Sequence, residues 1–473
     1  MKTLCSAWVL VAFAAASAAQ SAQPPASAPP KPQVKQQKKP VTIPVQRAAV
    51  PRKRTAPRPR AAAPNPQLVA QAREQVNAKV EAGISANALE NHSALVPFFE
   101  QLYQHQHGTL SGPLHILHYG DSHTAADEWT GELRTRFQQM FGDGGSGYSL
   151  AGRPWNSYRR GDLKSGSTSK WYTDGLLGRT GDGMYGLGGI SMSTAAAHES
   201  VYLIADGENF ELFYLQQPGG GALDIYDNGN LLERIATDGE TEPRYFHYQA
   251  EPGTHRLEAE TVDAAPVRVF GWTAEKSSGV TYENFGINGA EASIMLSWNE
   301  AVLRANMAHR NPALVILAYG TNEAGHANWN IENYREMFAQ LVARMRDNAP
   351  TATILVAGPL DRGMRLRQRG WVTLDGVDKI IEAQKQVCAA LGCVFWDQRA
   401  SMGGKGSIHQ WVQAGMAQAD RVHLTGPGYH TMGDALFRDV MEQYDRFVKA
   451  REALAASGTS GKVSPGAALT APR

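Results

Sequence analysis

The chain has 473 residues, 42% of them apolar, which is too long for one ordinary domain and apolar enough to bury a real core. Lys plus Arg (46) and Asp plus Glu (45) nearly cancel, giving a net charge of +1, so a uniformly basic nucleic-acid binder is excluded. The balance conceals a split between a basic leading segment and an acidic remainder.

Residues 1–19 read as a secretory signal. Lys2 supplies the positive start, Ala7 to Ala16 the apolar stretch, and Ala16-Ser17-Ala18 a small-residue cleavage site. Residues 20–64 are rich in Pro, Ala and Gln. They carry Lys31, Lys35, Lys38, Lys39, Arg47, Arg52, Lys53, Arg54, Arg58 and Arg60 without one acid. Setting these ten and Lys2 aside leaves 35 basic against 45 acidic residues, a net of −10 for residues 65–473. Residues 20–64 are expected to be a disordered basic tether, able to touch an anionic envelope surface. Nucleic acid is not expected as a partner of an exported chain.

Residues 65–106 read as helical, with Phe98, Phe99, Leu102 and Tyr103 on one face. Leu114 to Tyr119 is an apolar strand that ends in Gly120-Asp121-Ser122. A helix follows at once, with Trp129, Leu133, Phe137 and Phe141 four residues apart and Asp127 and Glu128 expected in its first turn. A serine between a strand end and a helix start is held rigidly and is open to attack a substrate. Residues 142–189 are rich in Gly, Ser, Tyr and Trp and have no clean period, so they are expected to be loop. The literal GxGxxG at Gly181–Gly186 lacks the strand and helix that a dinucleotide site needs.

From about Ser200 to Trp272 the period becomes two, with turns at Asp227-Asn228-Gly229 and Glu251-Pro252-Gly253, as in a small β-sandwich. Helices and apolar strands then alternate. Gly279–Asn284, Leu314–Leu317, Thr353–Val356 and Val394–Trp396 are strands. Helices are marked by Ile294, Trp298, Val302 and Ala305, by Tyr334, Phe338, Leu341 and Met345, by Val377–Leu391, and by Tyr429, Met432, Leu436, Val440 and Tyr444. Such alternation means a parallel sheet covered on both faces. The expected organisation is an α/β domain (65–195 and 276–452) split by a β-sandwich (196–275), with a disordered tail (453–473). Of three cysteines, Cys388 and Cys393 would remain after cleavage, either paired or as buried thiols.

Polar loops at other strand ends supply what an acyl-transfer serine requires. His423 can take the proton of Ser122, and Asp420, three residues earlier, can hold the imidazole in one tautomer. The backbone N–H groups of Ser122 and Gly289 and the side-chain amide of Asn322 can donate to a tetrahedral oxyanion. No metal and no cofactor is needed. Asp121-Ser122-His123 is also literally Asp-x-His, as in binuclear phosphoesterases, but the later Gly-Asp-x-x-Asp and Gly-Asn-His motifs are missing.

Ser122 in Gly-Asp-Ser, Gly289 in Asn-x-Gly-x-x-Gly, Asn322 in Gly-Thr-Asn-Glu, and Asp420 with His423 resemble the four blocks of the SGNH (GDSL-type) hydrolases. That resemblance implies a flavodoxin-like three-layer α/β/α fold and a metal-free serine esterase. Gly-Asp-Ser-His, the Phe141–Gly145 loop and the β insert are similar to the periplasmic peptidoglycan O-acetylesterases, in which the inserted sandwich is carbohydrate-binding. The resemblance then implies hydrolysis of the C6 O-acetyl of N-acetylmuramic acid in a periplasmic or secreted setting. The alternatives are an O-acetyltransferase or a deacetylase of another polysaccharide with the same triad, and a non-catalytic glycan-binding wall protein. Trp155, Tyr158, Trp171 and Tyr172 are candidates to stack on sugars. His118 and His123 are expected to be structural, and Glu323 to support its loop. Removing about 196–275 is expected to spare small aryl acetates.

Overall fold

The computed structural model describes residues 65–85, 88–177, 181–326, 330–368 and 370–456. The expected signal (1–19), tether (20–64) and residues 457–473 of the expected tail lie outside them. The closing helix, Gly426–Ala456, takes in the first four residues assigned to that tail.

Five parallel strands form the central sheet: β1 (Gly112–Gly120), β2 (Ser278–Gly286), β3 (Leu314–Ala318), β4 (Thr353–Ala357) and β5 (Val394–Trp396). Their spatial order is β2-β1-β3-β4-β5, and a two-residue strand, Leu89–Glu90, runs antiparallel along β5. This is the flavodoxin-like 2-1-3-4-5 order, in which the order of the strands reverses between β1 and β3. The apolar runs that identify these strands are buried on both faces. Leu114 and Ile116 of β1 pack with Trp129, Leu133 and Phe137 of the Glu128–Phe141 helix and with Met432 and Leu436 of the closing helix. Leu117 and Tyr119, on the opposite face, pack with residues of the Glu300–Arg310, Ile331–Asn348 and Gly376–Leu391 helices. The three layers follow from this alternation.

The β insert is one continuous hydrogen-bonded sheet of nine strands built on two long ones, Ser200–Gln216 and Glu242–Thr261. Its own core includes Val201, Leu203, Leu212, Leu223, Leu257 and Trp272. Three of its strands, Gly147–Leu150, Lys164–Ser167 and Tyr172–Asp174, come from the stretch expected to be loop, and a fourth, Ser191–Thr194, also precedes residue 196. They are only three or four residues long, too short for alternation to stand out from the Gly- and Ser-rich stretch around them. The GxGxxG stretch is loop, as its context implies.

Phe213, Leu215 and Phe270 of the insert share a core with Leu117, Tyr119 and Val315 of the parallel sheet. Removing 196–275 would therefore open that common core, which argues against the expectation that small-ester turnover survives the deletion. Elsewhere the differences are local. Residues 65–106 form two helices, Pro66–Ser85 and Val96–Gln106. The element marked by Ile294 and Val302 is a 3-10 turn (Ala292–Ser297) and an α-helix (Glu300–Arg310), broken at Asn299, whose side chain caps the helix by accepting from Val302 N–H at 3.1 Å. Cys388 and Cys393 are joined as a disulfide around the Gly392 turn. Among the described residues no helix is long and apolar enough to cross a membrane.

Candidate active site

Polar groups gather at the carboxyl ends of β1, β2 and β3 and in the loop before the closing helix. β1 ends at Gly120, and Ser122 opens a one-turn helix, Ser122–Ala125. A Cβ at Gly120 would lie 2.1 Å from Thr124 Oγ1, and one at Gly286, the end of β2, would lie 2.0 Å from Ala125 N. Glycine at both strand ends lets the serine turn sit directly on the sheet. Asp121 caps the turn, its carboxylate accepting from the His123 N–H at 2.9 Å. Burial pushes the Asp121 carboxyl up to about 6, against the pull of that hydrogen bond.

Ser122, His423 and Asp420 form a line. Ser122 Oγ lies 2.9 Å from His423 Nε2, and His423 Nδ1 lies 2.8 Å from Asp420 Oδ2. An ionised carboxylate only accepts, so Nδ1 carries the proton and Nε2 of the neutral ring is left to accept from the serine hydroxyl. Asp420 Oδ1 also accepts from the Val422 and His423 N–H groups, at 3.0 and 3.1 Å. Burial works against ionisation of Asp420, but the His423 hydrogen bond and these two N–H donors hold its carboxyl below the usual range.

Gly289 and Asn322 sit on the loops after β2 and β3. Gly289 has φ +76°, and a Cβ there would meet Leu177 at 2.9 Å, so this loop also needs glycine. Asn322 Nδ2 donates to the Ala290 carbonyl at 2.8 Å. That bond ties the two loops together and uses one of the two amide protons, leaving the other free. Glu323 reinforces the tie, as one oxygen accepts from Ala292 N–H at 2.8 Å and the other from Gly320 N–H at 3.0 Å. Burial pushes its carboxyl up to about 8.

His118 and His123 face inward. His118 Nδ1 meets the Tyr282 hydroxyl at 2.8 Å and His123 Nδ1 the Tyr429 hydroxyl at 2.9 Å; burial lowers both rings to about 3, so both are neutral. Of the aromatic candidates, Tyr158 is buried with its hydroxyl accepting from Leu150 N–H, whereas Tyr172 is 75% exposed. A cleft of about 290 Å³ opens beside Ser122 and His423, lined also by Glu128, Arg159, Asn288 and Tyr429.

Several supports were not read from the sequence. Asp127 does not lie in a helical first turn; it has φ +55° and is buried, accepting from Arg134 at 2.9 Å, from Asn284 Nδ2 at 2.9 Å and from Gly161 N–H at 2.7 Å. Burial opposes its charge, but Arg134 and Arg160 hold the carboxyl well below its usual range. Asn284 Nδ2 also donates to the Thr124 carbonyl at 2.8 Å, so this network clamps the back of the serine turn. Arg134, a charge on the apolar face of its helix, was the available signal. Arg362, after β4, donates to the Thr321 carbonyl beside Asn322.

Comparison with known proteins adds the following. The GDSL-like Lipase/Acylhydrolase family model matches residues 255–431. That span holds Gly289, Asn322, Asp420 and His423 but not Ser122, which the β insert separates from them. A solved structure titled "Peptidoglycan O-acetylesterase in action, 5 min" is 26% identical, with a TM-score of 0.65, over 76% of this chain and 99% of that one. A family two carbohydrate esterase from Clostridium thermocellum in complex with cellohexaose is 13% identical over 54% of this chain and 94% of that one, at a TM-score of 0.27. No curated protein matches.

Proposed function

From a chain that is an SGNH (GDSL-type) hydrolase and a carboxylic ester hydrolase, we propose that it removes O-acetyl groups from peptidoglycan outside the cytoplasm, at C6 of N-acetylmuramic acid. The observation that carries the chemistry is the Ser122–His423–Asp420 line, with hydrogen bonds of 2.9 and 2.8 Å. The substrate reading is supported by the likeness to the peptidoglycan O-acetylesterase, which extends over 99% of that chain. Residues 1–19 serve as the export signal and 20–64 as a basic tether toward the anionic wall.

Ser122 Oγ attacks the acetyl carbonyl while its proton passes to His423 Nε2. Asp420 keeps the ring oriented and stabilises the imidazolium. The oxyanion forms among the N–H groups of Ser122 and Gly289 and the free amide proton of Asn322, each such donor being worth roughly 3 kcal/mol in the transition state. Collapse expels the sugar O6, which takes the proton from His423, and leaves an acetyl-serine. Water, activated by His423, then releases acetate. The His423 and Asp420 side chains are 35% and 44% exposed, so water can reach the acyl-enzyme.

The test is acetate release from O-acetylated peptidoglycan, beside acetylated xylan and alginate, with Ser122→Ala as control. Ser122-dependent release from peptidoglycan is the expected result. Release from xylan or alginate alone would move the substrate, and turnover that persists in Ser122→Ala would remove the nucleophile.

A further inference from the structure

Between β4 and the Gly376–Leu391 helix the chain makes an excursion of which ester hydrolysis uses only Arg362, at its base. Residues 362–373 contain Arg362, Arg365, Arg367 and Arg369 and no acid, on a body whose net charge is −10. They form a separate two-stranded hairpin, Gly363–Leu366 with Gly370–Thr373. Arg369 lies outside the described residues.

The base of the hairpin is fixed to the site on two sides. Arg362 donates to the Thr321 carbonyl, next to Asn322. Gly363 N–H donates to the Arg421 carbonyl at 2.8 Å, between Asp420 and His423. A Cβ at Gly363 would lie 2.9 Å from that of Arg421, so the approach is close. Arg421 has φ +56°, a backbone state that persists only where its surroundings hold it. Its guanidinium lies 4.7 Å from the centre of the Trp371 ring.

Arg365 is the cross-strand partner of Trp371, so the two share a face. Arg365 and Arg367 are exposed, and among the described residues neither has an ion-pair partner. The acids next along the chain are engaged elsewhere: Lys405 holds Asp375 and Asp378 at 2.7 Å each. Exposed guanidinium groups on a hairpin whose base touches the loops of Asn322 and His423 suit planar carboxylates.

We propose that the 362–373 hairpin is an anion-recognising arm of the active site, in which Arg365 and Arg367 take carboxylates of the polymer whose ester lies at Ser122, with Trp371 and Arg421 as its stiff base. The proposal rests on the peptidoglycan reading and narrows it. The segment recognised is glycan that carries stem peptides, whose free carboxylates a neutral acetylated glycan lacks.

The experiment uses the full chain and an Arg365→Glu/Arg367→Glu double variant. Substrates are 4-nitrophenyl acetate, O-acetylated peptidoglycan, and the same peptidoglycan with its carboxyls blocked by carbodiimide and ethanolamine. The variant is expected to lose about tenfold in kcat/KM on native peptidoglycan at low salt, to match the wild type on 4-nitrophenyl acetate, and to respond little to blocking. The wild type is expected to lose a similar factor on blocking. Equal rates of variant and wild type on native peptidoglycan overturn the arm. So does an equal loss on the blocked polymer. A wild type that releases no acetate from peptidoglycan overturns the substrate reading. The arm is then read on acetylated pectin against neutral acetylated glucomannan, where charge reversal must abolish a preference for pectin or the arm fails too.

Discussion

Glu323 is the carboxylate on which both oxyanion loops hang, and its replacement is expected to damage stability and rate together. It is 1% exposed and takes two backbone N–H groups, those of Ala292 and Gly320. Glu323→Ala leaves both donors buried and unpaired at about 1–3 kcal/mol each, less what is regained by no longer burying a carboxyl. The loops that carry Gly289 and Asn322 lose their strap, so kcat on 4-nitrophenyl acetate should fall by about tenfold to a hundredfold with KM little changed. Glu323→Gln separates titration from shape. Burial pushes the Glu323 carboxyl from its ordinary 4.5 up to about 8, so between these values the folded chain holds a proton that the unfolded chain has released. That contribution to stability is fully present below about pH 4.5 and is lost as pH rises toward 8, at up to about 1.4 kcal/mol per pH unit. The wild type should therefore lead Glu323→Gln most at pH 5 in urea denaturation, and the gap should close by pH 9. Asp121 and Asp439, raised to about 6 and 7, are common to both proteins and cancel in the difference. A gap that is constant from pH 5 to 9, or a Glu323→Ala protein with wild-type stability and kcat, would refute the reasoning.

Asp420→Asn should preserve the fold and lower kcat at least about a hundredfold, because Nδ1 loses the acceptor that fixes its tautomer; a smaller loss in steady-state turnover would mean the backbone already orients His423. Asn322→Ala should cut kcat on 4-nitrophenyl acetate by about a hundredfold, and because its amide also ties Ala290, melting should drop slightly as well. Gly286→Ala should destabilise by about 3 kcal/mol or more or fail to fold, since its Cβ falls 2.0 Å from Ala125 N; a soluble protein of unchanged melting temperature would contradict the close packing of the serine turn on β2.

The parallel strands were legible because each is buried on both faces and so reads as a short unbroken apolar run bounded by turn residues. The loops at their ends were legible for a related reason. A strand that stops at Gly120-Asp121-Ser122 or Tyr319-Gly320-Thr321-Asn322 places unusual polar groups where the sheet opens, and the local spacing of Asp420 and His423 lets one turn bring them together. What escaped were elements defined by distant partners. Gly147–Leu150 and Lys164–Ser167 are strands only because Val267–Glu275 and Ser200–Gln216 lie beside them, and four residues are too few to carry a legible period. Asp127 reads as a helix-start acid, yet its φ of +55° is imposed by Arg134, Asn284 and Gly161, which converge on it from three separate segments.

The same logic bears on how the insert serves the site. Its last strand, Val267–Glu275, is separated by only two residues from β2, whose far end carries the Gly286–Gly289 loop. Arg310 pairs with Glu283 of β2 and with Glu275 of the insert at 2.5 Å, and His115 reaches Glu275 at 3.2 Å, all of them nearly buried. Burial opposes the charge of Glu275, but Arg310 and His115 hold its carboxyl down to about 2. A buried cluster of this kind contributes little net stability, yet removing one partner leaves a stranded charge at a cost of about 3–5 kcal/mol. Through Arg310 it links the last strand of the insert to the strand that leads into the Gly289 loop. With Phe213, Leu215 and Phe270 packed into the common core, the insert is a wall of the hydrolase body.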